Sequence, residues 1–206
     1  MNTNITVSHP RNGRSGRNPT GLQVTFIMPE ITELFPKGFL QRQGTNLETC
    51  LDSLHRAATL LETNLSCVPD EAFNASVQPG KWSPAEIADH VVKANHLFVK
   101  ALEIGLQRTR NPGLYVLHMP RGQVTADGRA VAPTEQAPTP GRARMELNAD
   151  LKASVARLEA AARDLDRADG LGVDCVNQSF FGLMTGLECL QLMAWHTAHH
   201  AKQLPV

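Results

Sequence analysis

The chain has 206 residues, 42% of them hydrophobic, and its 20 Lys and Arg balance 20 Asp and Glu. That is room for one domain with a sizeable core plus loops or a tail. A formal net charge of zero and a single Tyr argue against nucleic acid as a partner, because such binders carry a basic excess and often stack bases on aromatic rings.

No apolar run is long enough to span a bilayer, and there is no secretory h-region, so no membrane partner is expected. The four cysteines, Cys50, Cys67, Cys175 and Cys189, form no C-x-x-C pair. They read as small buried apolar residues in a reducing compartment, which makes the cytoplasm the expected location.

Residues 1–44 form an N-terminal extension expected to be disordered or loosely packed. Its first 21 residues are rich in Asn, Gly, Ser, Thr and Arg and show no periodicity. The segment VTFIMPEITELFP that follows is weakly apolar and reads either as a short packed extension or as the region of an alternative start at Met28.

The body, residues 45–206, shows four helical segments. The first runs from about Glu48 to Ser66, with Leu47, Leu51, Leu54, Ala58, Leu61 and Leu65 as a core stripe spaced by fours and threes. Thr45 and Glu48 are spaced as a capping box, and Pro69 helps to stop the helix. A second helix runs from about Pro84 to Ile104. Ser83 is its N-cap, Pro84 takes the first position, Glu86 closes a capping box, and Trp82 with Ile87 is placed as a hydrophobic staple. Gly105 suits its end.

A connector rich in Pro and Gly follows, roughly 106–140, long enough to be functional, mobile or structured in its own right. Within it, QVTADGRAV can form a short hairpin around Asp127-Gly128. The third helix runs from about Arg142 to Ala168 on the stripe Leu147, Leu151, Val155, Leu158, Ala162 and Leu165, and Gly170 ends it. The fourth runs from about Gly186 to Gln203, opened by a Thr185/Glu188 capping box and stopped by Pro205. The expected fold is all-α, a four-helix bundle with one long crossover connection between helices two and three.

Chemistry concentrates at the end of the chain, in His196-Thr197-Ala198-His199-His200. His196 and His200 are four apart and share a helix face, so both rings can point a neutral nitrogen at one metal ion. Spacing alone leaves His199 equally able to partner His196. The plainer reading is that cationic side chains favour the last turns of a helix. A third ligand has to come from elsewhere. His90, beside Ile87, Val91 and Ala94, borders the interior and is the best candidate, since a core-facing imidazole is costly without partners. Glu86, one turn earlier, can orient His90, although its cap role already accounts for it. Gln203 can hold His200 or a substrate, or simply be solvated. Cys189 lies about 10 Å from His196 along the helix, too far to ligate the same ion.

KWSPAEIADHV followed by FFGLMTGLECLQLMAWHTAHHAKQL resembles the DinB-like (YfiT-like) superfamily of bacterial metal-binding four-helix bundles. Trp82, Ser83, Glu86 and His90 match the first part of the family pattern. Phe181, Gly182, Thr185, Glu188, His196, His200 and Gln203 match the second, with Met184 where Leu is usual. The resemblance covers roughly residues 45–204. It implies His90, His196 and His200 as a metal triad and leaves His199 to orient a ligand or to handle protons as a catalytic group. Three neutral histidines leave a divalent ion, zinc or nickel by ligand type, with open positions.

The implied functions are metal-dependent hydrolysis or transfer of a small bacterial thiol, through metal-activated water or thiolate, on a small-molecule substrate. The rivals are a non-enzymatic, metal-stabilised, stress-associated binding or dimerisation module, and a metal-free bundle whose histidines only cap or pack. Relatives often pair, so a homodimer is an expected partner.

Overall fold

The computed structural model describes residues 35–205 except 77, 79, 127 and 129. Among them are five α-helices: α1 (Leu47–Cys67), α2 (Asp70–Phe73), α3 (Pro84–Arg110), α4 (Arg144–Arg167) and α5 (Gly186–Ala201). Five short strands accompany them: β1 (Leu117–His118), β2 (Gln123–Val124), β3 (Ala130–Val131), β4 (Asp174–Gln178) and β5 (Gly182–Thr185). The chain is thus mostly helical, as expected, but not purely so. The β2–β3 pair is the expected hairpin, with Gly128 in its turn at φ 80°, while Asp127 lies outside the described residues. The unexpected element is a three-stranded sheet in which β1 runs parallel to β4 and β5 returns antiparallel.

The two stripes read from spacing are the core faces of α1 and α4. Every one of their twelve positions is buried, six in each helix. Apolar burial of this kind is the main term holding such helices in place, at about 1.5–3 kcal/mol for each large side chain. α1 packs on α4 and α5, and α3 packs on the same two helices. The first half of α3 is enclosed on all sides, so Ile87, Ala88, Asp89, His90, Val91 and Val92 are all buried in succession. This enclosure places a carboxylate and an imidazole in the interior, where both require partners.

Two boundaries differ from expectation for identifiable reasons, and the end of α4 at Gly170 forms as expected. α1 starts at Leu47, with Asn46 rather than Thr45 as N-cap. Asn46 Oδ1 accepts from the Thr49 N–H at 3.0 Å, and the Thr49 side chain closes the box. Glu48 is then free to pair with Arg163 at 2.8 Å.

α3 runs six residues past Ile104, straight through Gly105. That glycine does not end the helix. It makes room for β4, since a Cβ there would lie 2.3 Å from Cys175 Sγ. α4 ends in a motif in which Gly170 N–H reaches Leu165 O at 2.9 Å, and Asp169 takes the left-handed conformation at φ 51°.

Residues 1–34 lie outside the described residues. Those at 35–44, read as part of a loose extension, are packed. A 3₁₀ turn at Gly38–Gln43 buries Leu40 completely, and buried Gln191 on α5 donates to Gly44 O at 2.7 Å. Cys50, Cys175 and Cys189 are buried free thiols, whereas Cys67, read as buried, is exposed at the end of α1. No helix among the described residues is long and apolar enough to cross a membrane.

Candidate metal centre

The capping boxes at Ser83/Glu86 and Thr185/Glu188 form as read, and they fix where α3 and α5 begin. His90 then falls in the second turn of α3, and His196 and His200 fall one turn apart on α5. The packing of α3 against α5 brings the three rings together. Nε2 of His196 lies 3.1 Å from Nε2 of His90 and 3.2 Å from Nε2 of His200. One ligand atom from each histidine lies within 4.8 Å of the others, an arrangement that can hold a metal ion. His90 and His200 are buried, and His196 is partly so.

The second nitrogen of each ring determines what Nε2 can offer. His90 Nδ1 lies 2.8 Å from the carbonyl oxygen of Gln136, which can only accept. The proton therefore sits on Nδ1, and Nε2 of the neutral ring keeps its lone pair. His200 Nδ1 donates in the same way to Gln203 Oε1 at 2.9 Å. His196 Nδ1 is buried with no hydrogen-bond partner among the described residues. Two lone pairs thus face one ring that can supply at most one Nε2 proton. A cation among the three Nε2 atoms resolves this excess of acceptors, so the residues present fit a divalent metal.

Electrostatics favour the same neutral state. Burial pushes the His90 imidazole below its usual range, against the opposing pull of the Gln136 carbonyl. Burial, reinforced by the neighbouring rings, pushes His196 well below that range and His200 down to about 3. Neutral imidazole is the form that ligates a metal.

Around the triad, Trp82 lies against His90, with ring centroids 4.7 Å apart, and 6.1 Å from His200. Glu86 keeps to its cap, where Oε2 accepts from Ser83 N–H at 2.7 Å. His199 is exposed and stacks on Trp195 at 5.2 Å, with 19° between the ring planes. Its Nε2 accepts from Gln203 Nε2 at 2.9 Å, so the Gln203 amide joins His199 to His200. Burial lowers the His199 pKa, and Lys202 adds to the shift. His55, His96 and His118 are exposed and stand apart from the triad.

Sequence reasoning missed one participant, the Gln136 carbonyl. Every residue has a carbonyl, so nothing in the side-chain pattern could have marked it. The sequence did hold a signal for the residues that secure the segment around it, the Asp89 and Lys93 charges flanking His90. Burial pushes the Asp89 carboxyl up, but hydrogen bonds from Arg142, Lys93 and Thr139 N–H bring it below the ordinary range.

No curated protein and no solved structure shows significant similarity to the chain. Residues 53–204 match the DinB superfamily, about three quarters of the sequence and all of the histidine site. By that match, the chain belongs to the DinB superfamily.

Proposed function

We propose that the chain binds a divalent metal, zinc or nickel, through His90, His196 and His200, and acts as a metal-dependent hydrolase or low-molecular-weight-thiol transferase on a small molecule. The four long helices are read as a bundle in which residues 111–143 form the crossover, and the compartment as the cytoplasm. The observation carrying this reading is the convergence of three Nε2 atoms, two of them held as lone-pair donors by Gln136 and Gln203. A bound divalent ion supplies Lewis acidity at near-neutral pH.

The chain's own groups do the rest. Leu192 and Met193, 3% and 1% exposed, lie on the triad-bearing face of α5 before the histidines and extend the buried core up to them. Gln203 holds the Nε2 lone pair of His199, so neutral His199 carries its proton on Nδ1 and can exchange it with solvent or substrate. That makes His199 the proton-handling residue of the reading.

Elemental analysis of the purified chain tests it. About one zinc or nickel per chain is expected, lost when His90, His196 and His200 are all changed to Ala. Absence of metal after reconstitution at neutral pH removes the reading.

A second reading, a metal-stabilised binding or dimerisation module, draws on the 4% and 7% exposure of His90 and His200. Cobalt substitution separates the two. Visible bands that shift on adding a small thiol show an accessible ion and favour the enzyme, and bands indifferent to it favour the module.

A further inference from the structure

The His90 imidazole is oriented by a backbone carbonyl on the long connector. The 3₁₀ turn Thr134–Gln136 places that carbonyl, and beyond it the chain runs as a strap over Lys93 and Asp89 of α3. A carbonyl is only as well placed as the chain around it is held, and here the holding is done by residues of α3 itself. Lys93 Nζ donates to Ala137 O at 2.7 Å and to Thr139 Oγ1 at 2.9 Å. Asp89 Oδ2 accepts from Thr139 N–H at 2.7 Å, and Asp89 Oδ1 accepts from Arg142 Nη1 at 2.8 Å. Arg142 ties the far end of the strap to α4 through Glu146 and Asp150, at 2.7 and 2.6 Å.

The Asp89 side chain is only 2% exposed. A carboxylate this deep is costly unless it is fully paired, and a stabilised helix alone would gain as much from an apolar residue there. Its bonds go to the strap and to Lys93, which itself holds the strap.

We infer that Asp89, Lys93 and Arg142 are positioning residues that strap residues 136–142 onto α3 and thereby hold the Gln136 carbonyl against His90 Nδ1, keeping Nε2 free as a ligand. Arg142 is joined to Asp89 and to α4 and not to His90, so its influence on that ring travels through the strap. Without the carbonyl, His90 can move its proton to Nε2, toward His196, and the lone pair turns away from the site. Hydrogen-bond partners behind a ligating histidine commonly change metal affinity 10–100-fold. The affinity part of this inference rests on the triad being a metal site; the tautomer part does not.

The test uses the full chain with ¹⁵N-labelled histidine. Two-bond ¹H–¹⁵N correlation of the metal-free protein reads which His90 nitrogen carries the proton. Zinc titration against a chromogenic chelator then reads affinity. Asp89→Asn and Arg142→Met are compared with wild type and with Arg163→Met, which removes a distant ion-pair cluster on Glu48 and Glu159.

Wild type and Arg163→Met should show one His90 tautomer, protonated on Nδ1. The two strap variants should show mixed tautomers and zinc binding about 10–100-fold weaker, with an unchanged helical spectrum. Retention of the single tautomer, with zinc affinity within about threefold of wild type, would overturn the inference. Should Asp89→Asn not fold, Arg142→Met and Lys93→Gln decide on the same readouts. A wild type that binds no zinc while the variants still mix tautomers would sink the metal reading and leave the strap standing.

Discussion

His90, His196 and His200 share one site but not one environment. Two have the far nitrogen fixed by an acceptor, and His196 has none among the described residues. All three are pushed below the usual imidazole range by burial, His200 to about 3. In the unfolded chain they titrate near the ordinary value of about 6.5. Between that value and their folded values, the unfolded state binds more protons, so folding stability falls as pH falls.

The stability these groups contribute is therefore fully present above about pH 6.5 and is lost below it. The loss is about 1.4 kcal/mol per pH unit for each ring that stays neutral when folded. Urea midpoints of the metal-free protein should drop from pH 7.5 to pH 5. Replacing the three histidines with Gln should flatten that dependence; equal slopes would show that the folded rings protonate as freely as unfolded ones. Gln203 was within reach of sequence reasoning because it lies three residues after His200, in the turn that follows α5. The Gln136 carbonyl was not, because its position depends on a connector whose path only long-range contacts define.

Among the elements, helix starts were legible where side chains alone decide them. Ser83/Glu86 and Thr185/Glu188 close as local chemistry requires. At α1 two overlapping starts competed, and Asn46 with Thr49 prevailed over Thr45 with Glu48. Asn46→Ala should then lower stability by about 1 kcal/mol, while Thr45→Ala should stay within about 0.5 kcal/mol, both read from chemical denaturation.

Gly105 gives a sharper case. In an isolated helix, Ala there would be favoured by about 1 kcal/mol. Against β4 the added methyl meets Cys175 Sγ, so Gly105→Ala should destabilise the protein by about 1–3 kcal/mol. Adding Cys175→Ala should restore most of the loss. A Gly105→Ala protein as stable as wild type would mean that β4 does not press on α3 as described. The sequence marked the glycine but not its purpose, because the strand that needs the space lies 70 residues further on.

At the scale of the whole molecule, the question is whether the fold depends on the metal. The core stripes of α1 and α4, the closed caps and the packing of α3 against α4 do not involve the triad histidines. Chelation should therefore leave a folded helical protein with a lower melting temperature. Rebinding at a free metal concentration 100 times Kd should return about 2.7 kcal/mol. For the same reason His196→Ala should abolish tight metal binding and keep the far-UV helical spectrum. A chain that unfolds on this substitution would identify the metal as structural.

The sequence by itself determined the four long helices, two of their core faces, two of their N-caps and, in the histidine cluster, His196 with His90 as the best third candidate. Each of these is written in spacing and side-chain type over a few turns, where the physics is local. It could not choose between His199 and His200, because both spacings give helix neighbours, and only the resemblance separated them.

Tertiary structure decided the rest. It turned His200 inward to the shared site and left His199 stacked outside on Trp195. Leu40 was drawn into the core with Phe35 and Phe39 packed against it, and a small sheet formed on α3. It also carried a loop carbonyl to His90, held by Asp89, Lys93 and Arg142. These outcomes depend on contacts tens of residues apart, whose energies are settled by burial and pairing in the assembled fold and leave no periodic trace in the chain.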